Sequence, residues 1–230
     1  MRKTSLSNGE YYHVYNRGVD KREVFIDEVD YRRFLTCLQA FKRSEPIGSL
    51  YELSLREMKK GSSTPMGVEL PFSALVEIVA YCLNPNHYHL IVKQISEKGI
   101  ERFMQKIGTG YTNYFNKRYE RSGALFQGKF KSIHIDSNEY LLHLSVYVNR
   151  NYRIHGYGDL DEEKTLLNQE SEWTYCSATD YLGERQEGSL CNKDVILGQF
   201  KDVSAYKEFL DSNTLYFKEK KDFQKYLLEN

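Results

Sequence analysis

The sequence contains no run of about 18 apolar residues, so no segment is read as a membrane span. Residues Met1 to Asn8 are polar and carry no apolar stretch, so no signal peptide is expected and the expected location is cytoplasmic. Cysteine is scarce and scattered. Cys37, Cys82, Cys176 and Cys191 form no C-x-x-C pair, which argues against a zinc ribbon and a disulfide scaffold; each is read as a small buried hydrophobe. An excess of one charge is also missing. The 32 Lys and Arg balance 32 Asp and Glu, which argues against indiscriminate coating of polyanions. With few prolines and 40% hydrophobic residues the composition is that of a globular protein, and 230 residues suffice for one core with a smaller appendage or for one large domain.

What the chain does have is unevenly placed. From Lys98 to Lys131 the bases Lys98, Arg102, Lys106, Lys117, Arg118, Arg121, Lys129 and Lys131 are opposed only by Glu101 and Glu120. Acid collects at Asp159–Glu163 and Glu170–Glu172. A neutral chain with a basic middle is compatible with a local polyanion site, and equally with a solvated helix face. The 19 tyrosines offer stacking surfaces for unpaired bases, but their number means that position must single out any tyrosine with a chemical role.

Along the chain, Tyr11–Tyr15 reads as a strand ended by the turn signal Asn16-Arg17-Gly18. Asp27 is placed to cap a helix whose apolar stripe is Tyr31, Phe34, Leu35, Leu38 and Phe41. Residues 45–73, with Lys59-Lys60-Gly61-Ser62-Ser63-Thr64-Pro65, read as a loop insertion. Leu75–Leu83 and His87–Lys93 read as two strands of a hairpin turned by Asn84-Pro85-Asn86. Ile100 to Tyr119 has the three-and-four spacing of an amphipathic helix, which Gly108 and Gly110 should weaken and bend. A strand over Phe130–Ile135 and a helix over Asn138–Arg153, capped from within Asp136-Ser137-Asn138, follow. Shorter helical segments are expected in the tail, around Val203–Leu210. This order predicts an α+β fold of the split βαβ type: a ferredoxin-like, RRM-like antiparallel sheet with helices on one face, followed by a C-terminal helical extension.

Two constellations carry chemistry. Residues two apart on a strand share a face, so His87 and His89 present two imidazoles side by side while Tyr88, Leu90 and Val92 turn into the core. A His-x-His pair alone is also found in strands that bind nothing. On the later helix His143, Tyr147 and Asn151 lie one turn apart on one face. A phenol nucleophile and an amide oxygen there could serve one metal-bound phosphate. Two nitrogens and one oxygen, with positions left open, suit Mg²⁺ or Mn²⁺ better than structural zinc. On residue type alone, a half-buried tyrosine and an asparagine near a helix end remain the plainer reading.

Taken together, several segments in order resemble the single-tyrosine HUH transposases, in particular the REP-associated tyrosine transposase group. The resemblance spans about residues 9–183. It is carried by Tyr12-His13-Val14-Tyr15-Asn16-Arg17-Gly18 and by Ala80-Tyr81-Cys82-Leu83-Asn84-Pro85-Asn86-His87-Tyr88-His89-Leu90-Ile91-Val92, the most specific segment. It continues through Tyr114–Tyr119, Gly123–Phe130, Tyr147-Val148-Asn149-Arg150-Asn151, Trp173–Ala178 and Asp180–Gly183. The resemblance implies a catalytic domain over 1–158 and an extension over 159–230. It implies metal ligation by His87, His89 and Asn151, with Mg²⁺ or Mn²⁺ as cofactor, and Tyr147 as the nucleophile that joins a 5′ phosphate in single-stranded, hairpin-containing DNA. One departure is Tyr152, where the family often has proline.

Arg17, Lys117, Arg118, Arg121, Lys129 and Lys131 are the expected DNA contacts, with Phe126 and Tyr119 as stacking candidates and His13 near the strand. His143 is one candidate base. The resemblance places the protein near the nucleoid and leaves monomer and homodimer both open. Three rivals stand beside it: an HUH replication initiator or relaxase, which usually has lysine where Asn151 sits; a non-catalytic nucleic-acid binder; and a domesticated hairpin-processing factor.

Overall fold

The computed structural model describes residues 6–46, 73–155, 175–184 and 188–219. The core of the expected insertion, the acidic stretches and the 158/159 boundary lie outside them. Four strands, β1 (Tyr11–Arg17), β2 (Val76–Asn84), β3 (His87–Gln94) and β4 (Lys131–Ile135), form one antiparallel sheet in the order β2-β3-β1-β4. The helices are α1 (Glu28–Phe41), α2 (Gly99–Arg118), α3 (Asn138–Asn149), α4 (Asn151–Ile154), α5 (Ala178–Tyr181), α6 (Asp194–Leu197) and α7 (Val203–Glu219). The order is that of the split βαβ fold, so the α+β class expected from the pattern is the one observed.

The helix starts follow from local chemistry. Asp27 accepts hydrogen bonds from the Val29 and Asp30 amides, and the Ser137 hydroxyl accepts from Tyr140 N. Each such cap is worth about 1 kcal/mol. Expected bending at the α2 glycines is not seen as a break; the helix runs unbroken from Gly99 to Arg118. Gly110 has a packing role instead, since a Cβ there would stand 3.0 Å from the Phe41 ring. Conversely, the single helix expected over 138–153 is interrupted at Arg150 (φ −113°, ψ 11°), which separates α3 from α4.

Strand alternation sorts the core into two layers. Tyr12, Val14, Ile78, Leu90 and Val92 pack against Phe34, Leu38 and Phe41 of α1 and Phe103, Ile107 and Tyr111 of α2. That is the helix layer expected on one face. The opposite face, left open in that expectation, carries α3 and the tail: Ala80, Cys82, Ile91 and Ile135 pack with Leu144, Tyr147 and Val148 and with Tyr206 and Leu210 of α7. A bulge between Ile78 and Ala80 shifts the alternation along β2 and lets Ile78 and Ala80 face opposite layers.

The outer edge of β2 is closed by the tail. Leu83 N donates to Tyr175 O at 3.0 Å and Ser177 N to Tyr81 O at 2.9 Å, so the sheet edge is paired. Tyr175 also stacks on Tyr31 of α1 at 4.1 Å. The ends of the insertion meet through Ser44 N to Ser73 O at 2.8 Å, which lets extra residues leave and rejoin the fold without disturbing it.

Between the first turn of α1 and the C-terminal end of α2 lies a fully buried carboxylate. Asp30 accepts from Ile26 N (2.9 Å), Tyr114 Oη (2.8 Å), Tyr119 Oη (2.8 Å) and Arg118 Nη1 (2.8 Å). Removing it would take this acceptor from the Ile26 amide and the Tyr114 and Tyr119 hydroxyls, while Arg118 keeps Asp27. Asp30→Ala is expected to cost about 3 kcal/mol, read as a lower urea midpoint, and an unchanged midpoint would contradict this account.

Candidate active site

The alternation that sends Tyr88 and Leu90 into the α1/α2 core turns His87 and His89 toward α3. All four residues of the expected chemical set, His87, His89, Tyr147 and Asn151, are brought together. The Tyr147 ring lies 5.5 Å from the His89 ring, edge on at 80°, and the His87 and His89 rings are 5.1 Å apart. His87 Nε2 lies 3.3 Å from Asn151 Oδ1. The break at Arg150 matters here, because it starts a new turn that carries Asn151 on its first residue.

Proton positions follow from the partners. His87 Nδ1 faces the Asn86 carbonyl oxygen Oδ1 at 2.6 Å and so donates, which leaves a lone pair on Nε2. That lone pair accepts from Asn84 Nδ2 at 2.8 Å. His89 Nδ1 pairs with His13 Nε2 at 2.9 Å. Burial first, and the neighbouring His89 second, hold His13 well below the ordinary imidazole range, so it is neutral at pH 7 and can accept from His89 Nδ1–H. The His87 ring is thereby oriented through Nδ1 with Nε2 as its basic nitrogen, and the His89 ring is held through its Nδ1 contact with His13, as second partners do for metal-binding histidines.

Do these residues fit a divalent cation? His87 Nε2 and Asn151 Oδ1 are both acceptors, and their 3.3 Å separation is near the roughly 3.0 Å between adjacent ligands of an octahedral ion with bonds of about 2.1 Å. Among the described residues no group of three or more His, Cys, Asp or Glu is arranged to hold a metal, so the set is two imidazoles and an amide. Two imidazole nitrogens and one amide oxygen are donors that a divalent cation can take, so the residues present fit such an ion.

Two cavities border the site. One of about 190 Å³ is lined by His87, His89, Tyr15, Arg17, Lys21, Gln127 and Lys131. A larger one, about 750 Å³, lies on the α7 side and is lined by Tyr147, His134, His143, Tyr216 and Phe217. Tyr147 itself is 1% exposed, with the Phe217 ring 6.0 Å away. Burial pushes the neighbouring phenol of Tyr15 up to about 12, so Tyr15, whose ring lies 5.9 Å from His89, stays protonated.

The expected DNA contacts separate into groups. Arg17 and Lys131 line the small cavity beside the histidines, Arg17 with Nε on Gln127 Oε1 at 2.5 Å. Lys129 is exposed in the loop before β4, and Lys117 is exposed at the end of α2. Arg118 is held by Asp27 (2.5 Å) and Asp30 (2.8 Å), and Arg121 closes its own loop through Asn116 Oδ1 (2.7 Å). Phe126 and Tyr119 are committed to packing and to Asp30. His143 lies with its ring 5.7 Å from Phe209, whereas His155 stands 6.5 Å from the Tyr147 ring and 6.1 Å from His87. Sequence reasoning passed over Asn84, Asn86, Lys21, Gln127 and His155. The first two looked like turn residues only, and the rest carry no spacing signal.

Two imidazoles on an inner strand thus face a tyrosine and an asparagine on the helices across that face. Residues 72–151 match the family described as transposase, IS200 like, which agrees over this segment with the transposase resemblance read from the sequence. Among solved structures, a REP-associated tyrosine transposase bound to a REP hairpin is similar at 12% identity and a TM-score of 0.50, over 83% of this chain and 88% of that one. It shares the fold. A putative transposase from Deinococcus radiodurans aligns at 13% identity and a TM-score of 0.36, over 68% of this chain and 95% of that one. A search of curated proteins finds no match.

Proposed function

We infer that the protein nicks and rejoins single-stranded, hairpin-containing DNA as a tyrosine transposase. The observation that carries this reading is the meeting of the HUH histidines with Tyr147 and Asn151 on one face of the sheet, 5.5 Å from ring to ring and 3.3 Å from nitrogen to oxygen. Because all four come from one chain, no exchange of helices between subunits is required. Residues 1–158 would form the catalytic unit, and 159–230 an extension that packs back on α3.

His87, His89 and Asn151 would hold Mg²⁺ or Mn²⁺, which when bound supplies Lewis-acid polarisation of a phosphate oxygen. Tyr147 Oη forms the new bond to phosphorus while the P–O3′ bond breaks. The departing 3′ oxygen takes a proton, and the 5′ phosphate stays on the tyrosine. An ordinary phenol titrates near about 10, so Tyr147 needs a nearby proton acceptor. His155, with its ring within 6.5 Å, is better placed for this than His143, which leans on Phe209. At 1% exposure the phenol meets DNA only when neighbouring groups such as Phe217 give way.

Arg17, Lys21 and Lys131 around the small cavity would grip phosphates next to the cut, with Lys117 and Lys129 as outlying contacts. Arg118 and Arg121 are left out, since their hydrogen bonds serve the protein itself. Lys131→Ala is expected to weaken single-strand binding about three- to tenfold and to reduce the salt slope by about 0.7. An unchanged slope in a filter-binding titration would remove Lys131 from the interface. The reading as a whole is tested by incubating the protein with end-labelled hairpin DNA and Mn²⁺. A denaturant-resistant adduct mapped to Tyr147 by peptide mass supports it; no adduct on any hairpin or single strand overturns it.

A further inference from the structure

Between the two ligand atoms of the candidate cation site lies a side chain that neither the family pattern nor the site's chemistry assigns. Asn84, the last residue of β2, is fully buried. Its Nδ2 donates to His87 Nε2 at 2.8 Å and to Asn151 Oδ1 at 2.5 Å. Its own Oδ1 accepts from Cys82 Sγ at 3.7 Å, which agrees with the amide being turned this way. One amino group therefore spans the two acceptor atoms that a cation would need, and those atoms stand 3.3 Å apart.

We propose that Asn84 is a positioning residue of the cation site: its amide competes with the divalent ion for His87 Nε2 and Asn151 Oδ1, and it must turn or withdraw for the ion to bind. This rests on the metal-dependent reading given above. The physical argument is one of satisfied acceptors. A buried imidazole nitrogen and a buried amide oxygen with nothing between them would be costly. The Asn84 amino group meets both demands at once and keeps the ligands close to their binding separation. The same bonds then oppose the ion: the single lone pair of His87 Nε2 serves one partner at a time, and the Asn84 amino group, within hydrogen-bond reach of both atoms, occupies the space an ion bound to both would take. Affinity is lowered and the ligand geometry is kept ready. Asn86, by contrast, acts on the far nitrogen of the same ring and supports ligation without competing.

The test uses the full chain and Mn²⁺ alone, with free Mn²⁺ followed by electron paramagnetic resonance. Wild type, Asn84→Ala and His87→Ala are compared. The expectation is that Asn84→Ala binds Mn²⁺ about tenfold more tightly than wild type, the release of two modest hydrogen bonds, and melts at a lower temperature when no metal is added. Equal or weaker binding by a folded Asn84→Ala would overturn the proposal. If wild type and His87→Ala bind alike, the metal reading itself fails, a different outcome. Should Asn84→Ala not fold, the wild-type protein decides. The side-chain amide resonances of Asn84, assigned through Asn84→Asp, are expected to shift on titration with diamagnetic Mg²⁺. Amide signals unmoved at saturating Mg²⁺ would overturn it as well.

Discussion

Replacing Tyr147 with phenylalanine is expected to abolish the covalent DNA adduct, a loss of at least about a thousandfold, because the ring remains and the only atom removed is the nucleophile. The ring is packed against His89, His13 and Phe217, and phenylalanine can make the same edge contacts. Stability should fall by no more than about 1.5 kcal/mol, the scale of one hydrogen bond. Hairpin affinity should stay within about twofold, since phosphate contacts rather than the phenol carry it. The three measurements are a denaturing gel, a melting curve and a binding titration on one preparation. An adduct that persists in Tyr147→Phe would assign the chemistry to another tyrosine. Tyr15 would be the first suspect on position, although burial holds its phenol at about 12 and makes it a poor nucleophile.

Removing one β3 imidazole should be nearly as damaging. His87→Ala is expected to weaken Mn²⁺ binding by at least about a hundredfold and to reduce adduct formation below detection in physiological Mg²⁺. The variant also strips the lone pair from Asn84 Nδ2 and the donor from Asn86 Oδ1, so some loss of stability accompanies it. Excess Mn²⁺ separates the two effects. A site that has lost one ligand is partly rescued by a more tightly held ion, whereas a misfolded one is not. Full activity of His87→Ala in metal chelator would place the chemistry elsewhere.

These outcomes bear on how much the sequence exposes. The His87/His89 pair was legible because strand geometry puts residues two apart on one face, whatever the rest of the chain does. The Asp27 cap was legible for the same local reason, and the later cap was narrowed to Asp136-Ser137-Asn138, of which the fold uses Ser137. Position 150 was not. Nothing in Tyr147-Val148-Asn149-Arg150-Asn151 announces the break, which arises where Arg150, 2% exposed, reaches Asp211 of α7 at 3.0 Å. The basic stretch from Lys98 to Lys131 reads as one patch in sequence, yet folding splits it. Lys131 turns to the histidines, while Arg118 is taken up by Asp27 and Asp30, about ninety residues away.

Periodicity and capping therefore determined the elements, their order and the two imidazoles, since each depends on residues within a few positions of one another. Which face α3 would cover, and so whether Tyr147 and Asn151 would meet those imidazoles, was decided by tertiary packing alone. His13, Asn84 and Asn151 reach the β3 histidines from three separate elements. Contacts between distant segments depend on strand pairing and on which apolar surfaces bury each other, and no local pattern encodes that choice.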